Sequence, residues 1–200
     1  MISKRHLAMA SVSAVAFSAL AFAPGFAAAQ TTAAAEEPTG IETVIVTARK
    51  REESSQDVPA SLTTVRGDAL TTLTSGGADM NAFSGRVPSL VVESSFGRTF
   101  PRFYLRGLGN SDFDLNASQP VSLIYDEVVF ENPVLKGFPV FDVERIEVLR
   151  GPQGTLFGRN TPAGIVKFDS VKPNGKAGGY LKGGFRSFGG RDAEGALGGA

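Results

Sequence analysis

The sequence predicts an α+β fold of short strands, short helices and long glycine-rich loops, closed by an amphipathic antiparallel strand pair. Three observations carry this. First, 24 of the 200 residues are glycine and 11 are proline, while 15 phenylalanines occur with no tryptophan. That is well above the roughly 7% glycine of average proteins and favours turn-rich β structure over a helical bundle. Second, Phe141–Asp169 holds two β-type runs around a loop. Val143–Leu149 alternates, with Ile146 and Val148 on one face and Arg145 and Glu147 on the other. Ile165–Phe168 is a short apolar run fit for a buried strand. Between them, Gly151–Gly164 must turn sharply or take positive φ in several places. Third, in Gly178–Phe188 the apolar Leu181 and Phe185 alternate with Lys182, Gly184 and Arg186, flanked by Tyr180 and Phe188. Apolar outside, polar inside and aromatic at the ends is the pattern of a transmembrane β-strand.

Charge and composition exclude several classes. The formal net charge is zero, and without Lys4 and Arg5 of a leader it is 18 basic against 20 acidic residues, or −2. No clustered basic surface for nucleic acid is encoded. There is no cysteine, so neither disulfides nor thiolate metal sites can form. The single histidine, His6, falls in the leader, which takes the commonest general base and the usual zinc ligand out of the mature chain. No catalytic residue, cofactor or metal site is assigned, and the chain is not expected to be an enzyme.

In chain order, residues 1–29 have a basic start, an apolar run from Leu7 to Ala23 and Ala27-Ala28-Ala29, the layout of a signal peptide cleaved before Gln30. Residues 30–53 read as a flexible linker, Thr-, Ala- and Glu-rich at first. Within it, Glu42–Ala48 (Glu42, Thr43, Val44, Ile45, Val46, Thr47, Ala48) is a β-branched run ahead of the charged tract Arg49–Glu53. Val58–Val65 is a strand candidate with Pro59 near its start. Asp68 can cap a short helix over Ala69–Leu73, and a second helix is expected over Asp79–Arg86, stopped by Pro88. Leu90–Glu93 is a short strand. Phe103–Asn110 is an alternating strand ending in Arg106-Gly107. Its glycines lack the third member of a dinucleotide loop. Asp112, Asp114 and Asn116 have calcium-loop spacing, but Ala117 and Leu123 stand where that loop needs glycine and glutamate. Ser111–Gln119 is therefore read as a polar loop. Val121–Phe130 is a hairpin about Asp126-Glu127.

The stretch ERIEVLRGPQGTLFGRNTPAGIV resembles the second signature of the plug domain of TonB-dependent receptors, and FYLRGLGN resembles the first. Val87-Pro88-Ser89-Leu90 fits the family's entry to the plug sheet. Tyr125-Asp126-Glu127-Val128 is similar to its Y-x-D-G-V hairpin, with Glu127 in place of glycine, so a looser turn or one of another type is expected there. ETVIVTA, residues 42–48, resembles the TonB box. An unpaired extended segment suits that role, because it can add to a partner's sheet edge through backbone hydrogen bonds.

The resemblance covers roughly Ile41–Ala200 and implies a plug with a small mixed β-sheet over 54–175, then the first strands of an antiparallel transmembrane barrel over 176–200. Two strands cannot satisfy their edges in a membrane, so a barrel needs more strands than these. It further implies active transport across the bacterial outer membrane, with the N-terminal segment and plug accessible from the periplasm. The implied partners are TonB with its inner-membrane energising complex, and an extracellular small ligand, a ferric siderophore first, cobalamin or a saccharide otherwise. Arg106 and Arg150 resemble the plug arginines that pair with barrel carboxylates, a task for bidentate guanidinium forks. Phe96, Arg98, Phe100, Asp112, Phe113, Asp114 and Asn116 are expected on ligand-facing loops. Two other classes remain open: a periplasmic module that engages TonB without a barrel, and a secreted hydrolase using paired carboxylates.

Overall fold

The computed structural model describes residues 43–75, 79–95, 97–112 and 114–199. The expected signal peptide, most of the linker, Glu42, Phe96 and Phe113 lie outside the described residues. The strands are β1 (Ile45–Val46), β2 (Glu53–Ser54), β3 (Ser61–Arg66), β4 (Leu90–Glu93), β5 (Arg102–Leu105), β6 (Val121–Tyr125), β7 (Val128–Phe130), β8 (Val143–Arg150), β9 (Gly164–Ser170), β10 (Gly178–Phe185) and β11 (Arg191–Gly198). Two short helices, α1 (Gly67–Thr74) and α2 (Gly154–Phe157), join them.

The centre is a five-stranded sheet ordered β3-β8-β9-β6-β7. It is mixed: β6 runs parallel to β9, and the other pairings are antiparallel. Its alternation sorts side chains onto two faces. One face holds Val65, Leu123, Ile146, Val148, Val166 and Phe168, packed beneath α1, the 3-10 turn Met80–Phe83 and the β4–β5 ribbon. The aromatic rings of Phe83, Tyr125, Phe138 and Phe168 meet there, Phe138 edge-on to Phe168 at 5.4 Å between centroids. On the other face, Ile124, Leu149 and Ile165 form a smaller apolar cluster with Val46, Ala48, Val58 and Phe157. Beside that cluster lies a group of buried charges.

On β8, Arg145 and Glu147 share this second face, and Glu147 is wholly buried there. Alternation reports which side chains share a face, but only a covering segment decides whether that face is wet. Helix positions also shift. Asp68 is not the cap; it lies in the first turn of α1, whose flanking residue is Arg66, and there it meets the positive end of the helix dipole. The second helix is only a 3-10 turn, Met80–Phe83, capped by the Asp79 carboxylate accepting from the Asn81 N–H at 3.0 Å. It ends ahead of Gly85 at φ +71°, before Pro88 is reached.

The hairpin turn keeps its tight form despite Glu127. Tyr125 pairs with Val128, leaving a two-residue turn with Asp126 at φ 45° and Glu127 at φ 71°. Both residues take the left-handed conformations that a type I′ turn demands. Side-chain contacts hold the strained pair: Asp126 accepts from the Ser170 N–H at 3.0 Å and from Lys172 at 2.6 Å, and Glu127 pairs with Lys167 at 3.2 Å. The Gly151–Gly164 loop contains α2 and takes positive φ at Gly151, Gly158, Asn160 and Gly164. Gly164 is obligatory as glycine, since φ is 142° and a Cβ would run into the Leu149 carbonyl oxygen.

β10 and β11 pair in full register from Gly178↔Gly198 to Phe185↔Arg191. One face of this ribbon carries Leu181, Phe185, Ala193 and Leu197. The other carries Tyr180, Lys182, Asp192 and Glu194, where the Tyr180 hydroxyl donates to Glu194 at 3.0 Å. Leu181 and Phe185 are 84% and 88% exposed. The two strands are joined by a 3-10 turn, Ser187–Gly189, with Phe188 at φ 62°.

Candidate coupling segment and loop sites

Residues 43–53, expected as part of a linker with an unpaired box, are packed against the sheet. β1 pairs with β2, Ile45 opposite Ser54 and Val46 opposite Glu53, and the Val44 carbonyl accepts from the Ser55 N–H at 2.8 Å. Val46 and Ala48 are fully buried in the smaller apolar cluster, while Thr43 and Ile45 face out. The physical reason is the alternation of the run: its β-branched residues can bury one side against Leu149 and Ile165.

Thr47 sits over the charges. Its N–H donates to Glu147 Oε1 at 2.8 Å, and its hydroxyl donates to Asp169 Oδ2 at 3.0 Å. The same oxygen accepts from Lys167 Nζ at 2.8 Å. Beneath it, Arg145 Nε lies 3.0 Å from Asp169 Oδ2 and 3.4 Å from Glu147 Oε1, and Lys167 pairs with both Asp169 and Glu127. Burial pushes the Glu147 carboxyl above the usual range, against the opposing Thr47 N–H and Lys167. Burial acts the same way on Asp169, but Lys167 and Arg145 outweigh it and hold that group below its ordinary value. Glu147 Oε2 and Thr64 Oγ1 are buried with no hydrogen-bond partner among the described residues. The sequence alone gives no sign that Lys167 and Asp169, which sit in an apolar-looking run, join Glu147 here.

The two arginines part company. Arg150 is only 8% exposed. Its Nε donates to the Pro88 carbonyl at 3.0 Å, and its Nη2 donates to the same oxygen at 2.6 Å and to Thr63 Oγ1 at 2.8 Å. These donors tie the end of β8 to Pro88 and β3. Arg106 is exposed, at φ 52°, and its N–H donates to the Ser89 carbonyl at 3.0 Å.

The loop candidates are brought together through a residue that sequence reading missed. Arg102 is 5% exposed; its Nη1 donates to the Ser111 carbonyl at 3.1 Å and its Nη2 to Ser95 Oγ at 2.7 Å, with Glu93 at 3.1 Å. It therefore clamps the 94–100 loop to the 108–120 loop. Arg98 is exposed and pairs with Asp79 at 3.2 Å. Phe100 is buried at 9% exposure and takes a left-handed φ of 64°. Asp112, Asp114 and Asn116 are exposed, and Asn110, Asp112 and Asp114 each accept, two residues on, from the N–H of Asp112, Asp114 and Asn116. Gln119, at the end of that loop, is buried.

A mixed sheet bearing a docked N-terminal segment on one face, clamped loops at one end and a two-faced strand pair after it defines a plug-type domain. The family model of the TonB-dependent receptor plug domain matches residues 54–165, and the chain belongs to that family. It is 30% identical over 165 residues to the pesticin receptor of Yersinia pestis, covering 82% of this chain and 23% of that protein. It is 30% identical over 154 residues to the hemin receptor of Yersinia pestis, covering 70% and 20%. The crystal structure of the ferric yersiniabactin uptake receptor from Yersinia pestis superposes with a TM-score of 0.63 at 27% identity, covering 70% of this chain and 22% of that one. The chain thus spans less than a quarter of the length of these relatives.

Proposed function

We propose that this chain serves in TonB-dependent uptake of a small ferric ligand across the bacterial outer membrane. In this reading residues 54–175 are the plug, 176–200 begin the barrel wall, and 42–48 are handed to TonB in the periplasm. The observation that carries it is the docked segment on a family-matched plug. It is a β-branched strand whose backbone pairs over only two residues, with Val46 and Ala48 packed in the smaller cluster and Thr47 on the charges, so its ladder can be exchanged for a partner's edge. The β10–β11 ribbon supports the membrane location, since Leu181, Phe185 and Leu197 on one face are more than four-fifths exposed and a lipid phase would cover them. Arg106 is the arginine available to pair with a carboxylate of the barrel wall, being exposed where Arg150 is not. A ferric ligand is favoured over cobalamin or a saccharide by the names of the relatives, one of which takes up ferric yersiniabactin. Arg98, Asp112, Asp114 and Asn116 form the exposed loop surface for it.

Radiolabelled ferric-siderophore uptake in cells with and without a functional TonB tests this reading. Val44→Pro removes the N–H from the exchanged strand and is expected to abolish uptake while leaving surface binding of ligand intact. Normal uptake in that variant, or uptake without TonB, overturns the coupling role of 42–48.

A further inference from the structure

We infer that Thr47 is the latch of the N-terminal segment: its contacts with the buried charges of β8 and β9 set how much of the time residues 43–48 are free. The inference rests on the coupling role proposed above for its consequence, but not for its test. The segment has two modes of attachment. Its outer edge is held by the short ladder to β2, in which Ile45 is exposed and Val46 buried, and by the Val44–Ser55 hydrogen bond. Beside the buried Val46 and Ala48, its polar contacts with the sheet converge on Thr47, whose N–H and hydroxyl reach Glu147, Asp169 and Lys167 within 3.0 Å, with Arg145 Nη2 at 3.4 Å. Those four charged groups satisfy one another only in part without Thr47. Glu147 Oε1 would keep Arg145 alone at 3.4 Å, and Lys167, 1% exposed, would lose one of its three partners.

Chemistry makes this contact a suitable release point. An apolar seam gives way over its whole area, whereas a few charge-assisted hydrogen bonds break over a fraction of an ångström and are then replaced by water. Lifting Thr47 admits water to charges that were covered, so the exposed state of the sheet is tolerated rather than sticky. The flanking Val46 and Ala48 supply the opposing pull back into the smaller core. Glu127, paired with Lys167 and 3.9 Å from Lys50, links the same charges to the strained hairpin turn.

The test uses the whole protein in membranes of expressing cells. These 200 residues contain no cysteine, so a spin label at Ile45→Cys reports segment mobility. A second label at Thr72→Cys, on the exposed side of α1, reports whether the plug stays folded. Thr47→Val removes only the hydroxyl and leaves every sheet charge in place. The expected result is about a tenfold rise in the mobile fraction at position 45, as loss of hydrogen bonds to charged groups predicts. The label at 72 stays unchanged and Thr47→Ser behaves as the parent. Immobile label at 45 in Thr47→Val overturns the latch, and so does mobility at both positions, which would make Thr47 a general stability residue. If the segment frees but site-specific crosslinking to TonB does not increase, the latch stands and the coupling reading falls.

Discussion

The two faces of the central sheet solve burial in opposite ways. One is dry: Ile146, Val148, Val166 and Phe168 are at most 2% exposed and lie in one apolar cluster, where Phe83, Tyr125 and Phe138 pack their rings around Phe168. The other is built around Arg145, Glu147, Lys167 and Asp169, under a segment that is itself only lightly attached. A dry face gains from area and close packing and loses heavily when any part lifts. An ionic face gains little net energy, because desolvation offsets the attraction, but its contacts are directional and exchange readily with water. The difference teaches which face resists opening and which can exchange its contacts for water. The β10–β11 ribbon makes the point from outside, since its dry face has no cover within the described residues.

The comparison can be broken most directly at the dry face. Phe168→Ala should cost about 3–5 kcal/mol, the range for deleting a fully buried aromatic, measured as a fall in denaturant midpoint. A loss under about 1 kcal/mol would mean that this face collapses around cavities and is not close-packed. On the ionic face, Lys167→Met leaves Glu147 and Asp169 to share Arg145 and should cost roughly 3 kcal/mol. Adding Asp169→Leu should restore most of that, because replacing a buried pair is far cheaper than breaking it. A double variant no better than the single would show that the charges are not coupled.

A pH titration sharpens the contrast from the edge of the dry core. Lys136 is 2% exposed, with its ammonium donating to the Val121 carbonyl at 3.1 Å, and burial lowers its pKa to about 8. Between that value and its ordinary 10.5 the unfolded chain binds the extra proton, so stability rises as pH climbs through this window. Lys136→Met should flatten the rise; an unchanged slope would remove Lys136 as its source. The smallest effect is expected at the turn. Glu127→Gly relieves φ 71° but gives up the Lys167 pair, for a net gain of about 0.5–1 kcal/mol, read from the thermal midpoint.

Much of the sheet was legible because its strands obey a period of two and are separated by turn residues. Val143–Leu149, Ile165–Phe168 and Leu90–Glu93 each lie within an observed strand. The looser turn, or one of another type, expected at Glu127 is replaced by a tight two-residue turn, because strand pairing on both sides imposes the twist of a type I′ turn on a residue that resists it. The helix over Asp79–Arg86 shrank to one turn because Gly85 breaks it early. Arg106 and Arg150 look alike in sequence, each preceding glycine at a strand end. Only the proximity of the Pro88 carbonyl, 62 residues away, turns one inward.

By itself the sequence determined the short-strand, glycine-loop architecture, the two-faced terminal ribbon and the family, because these rest on local periodicity, turn chemistry and contiguous motifs. The tertiary structure alone decided that residues 43–48 are docked, that Glu147, Lys167 and Asp169 lie beneath Thr47, that Arg102 clamps two loops, and that Phe100 points inward. Each of these is a contact between distant parts of the chain, or a burial set by what covers a face. Pattern along a strand records which side chains face together, and only packing determines what they face.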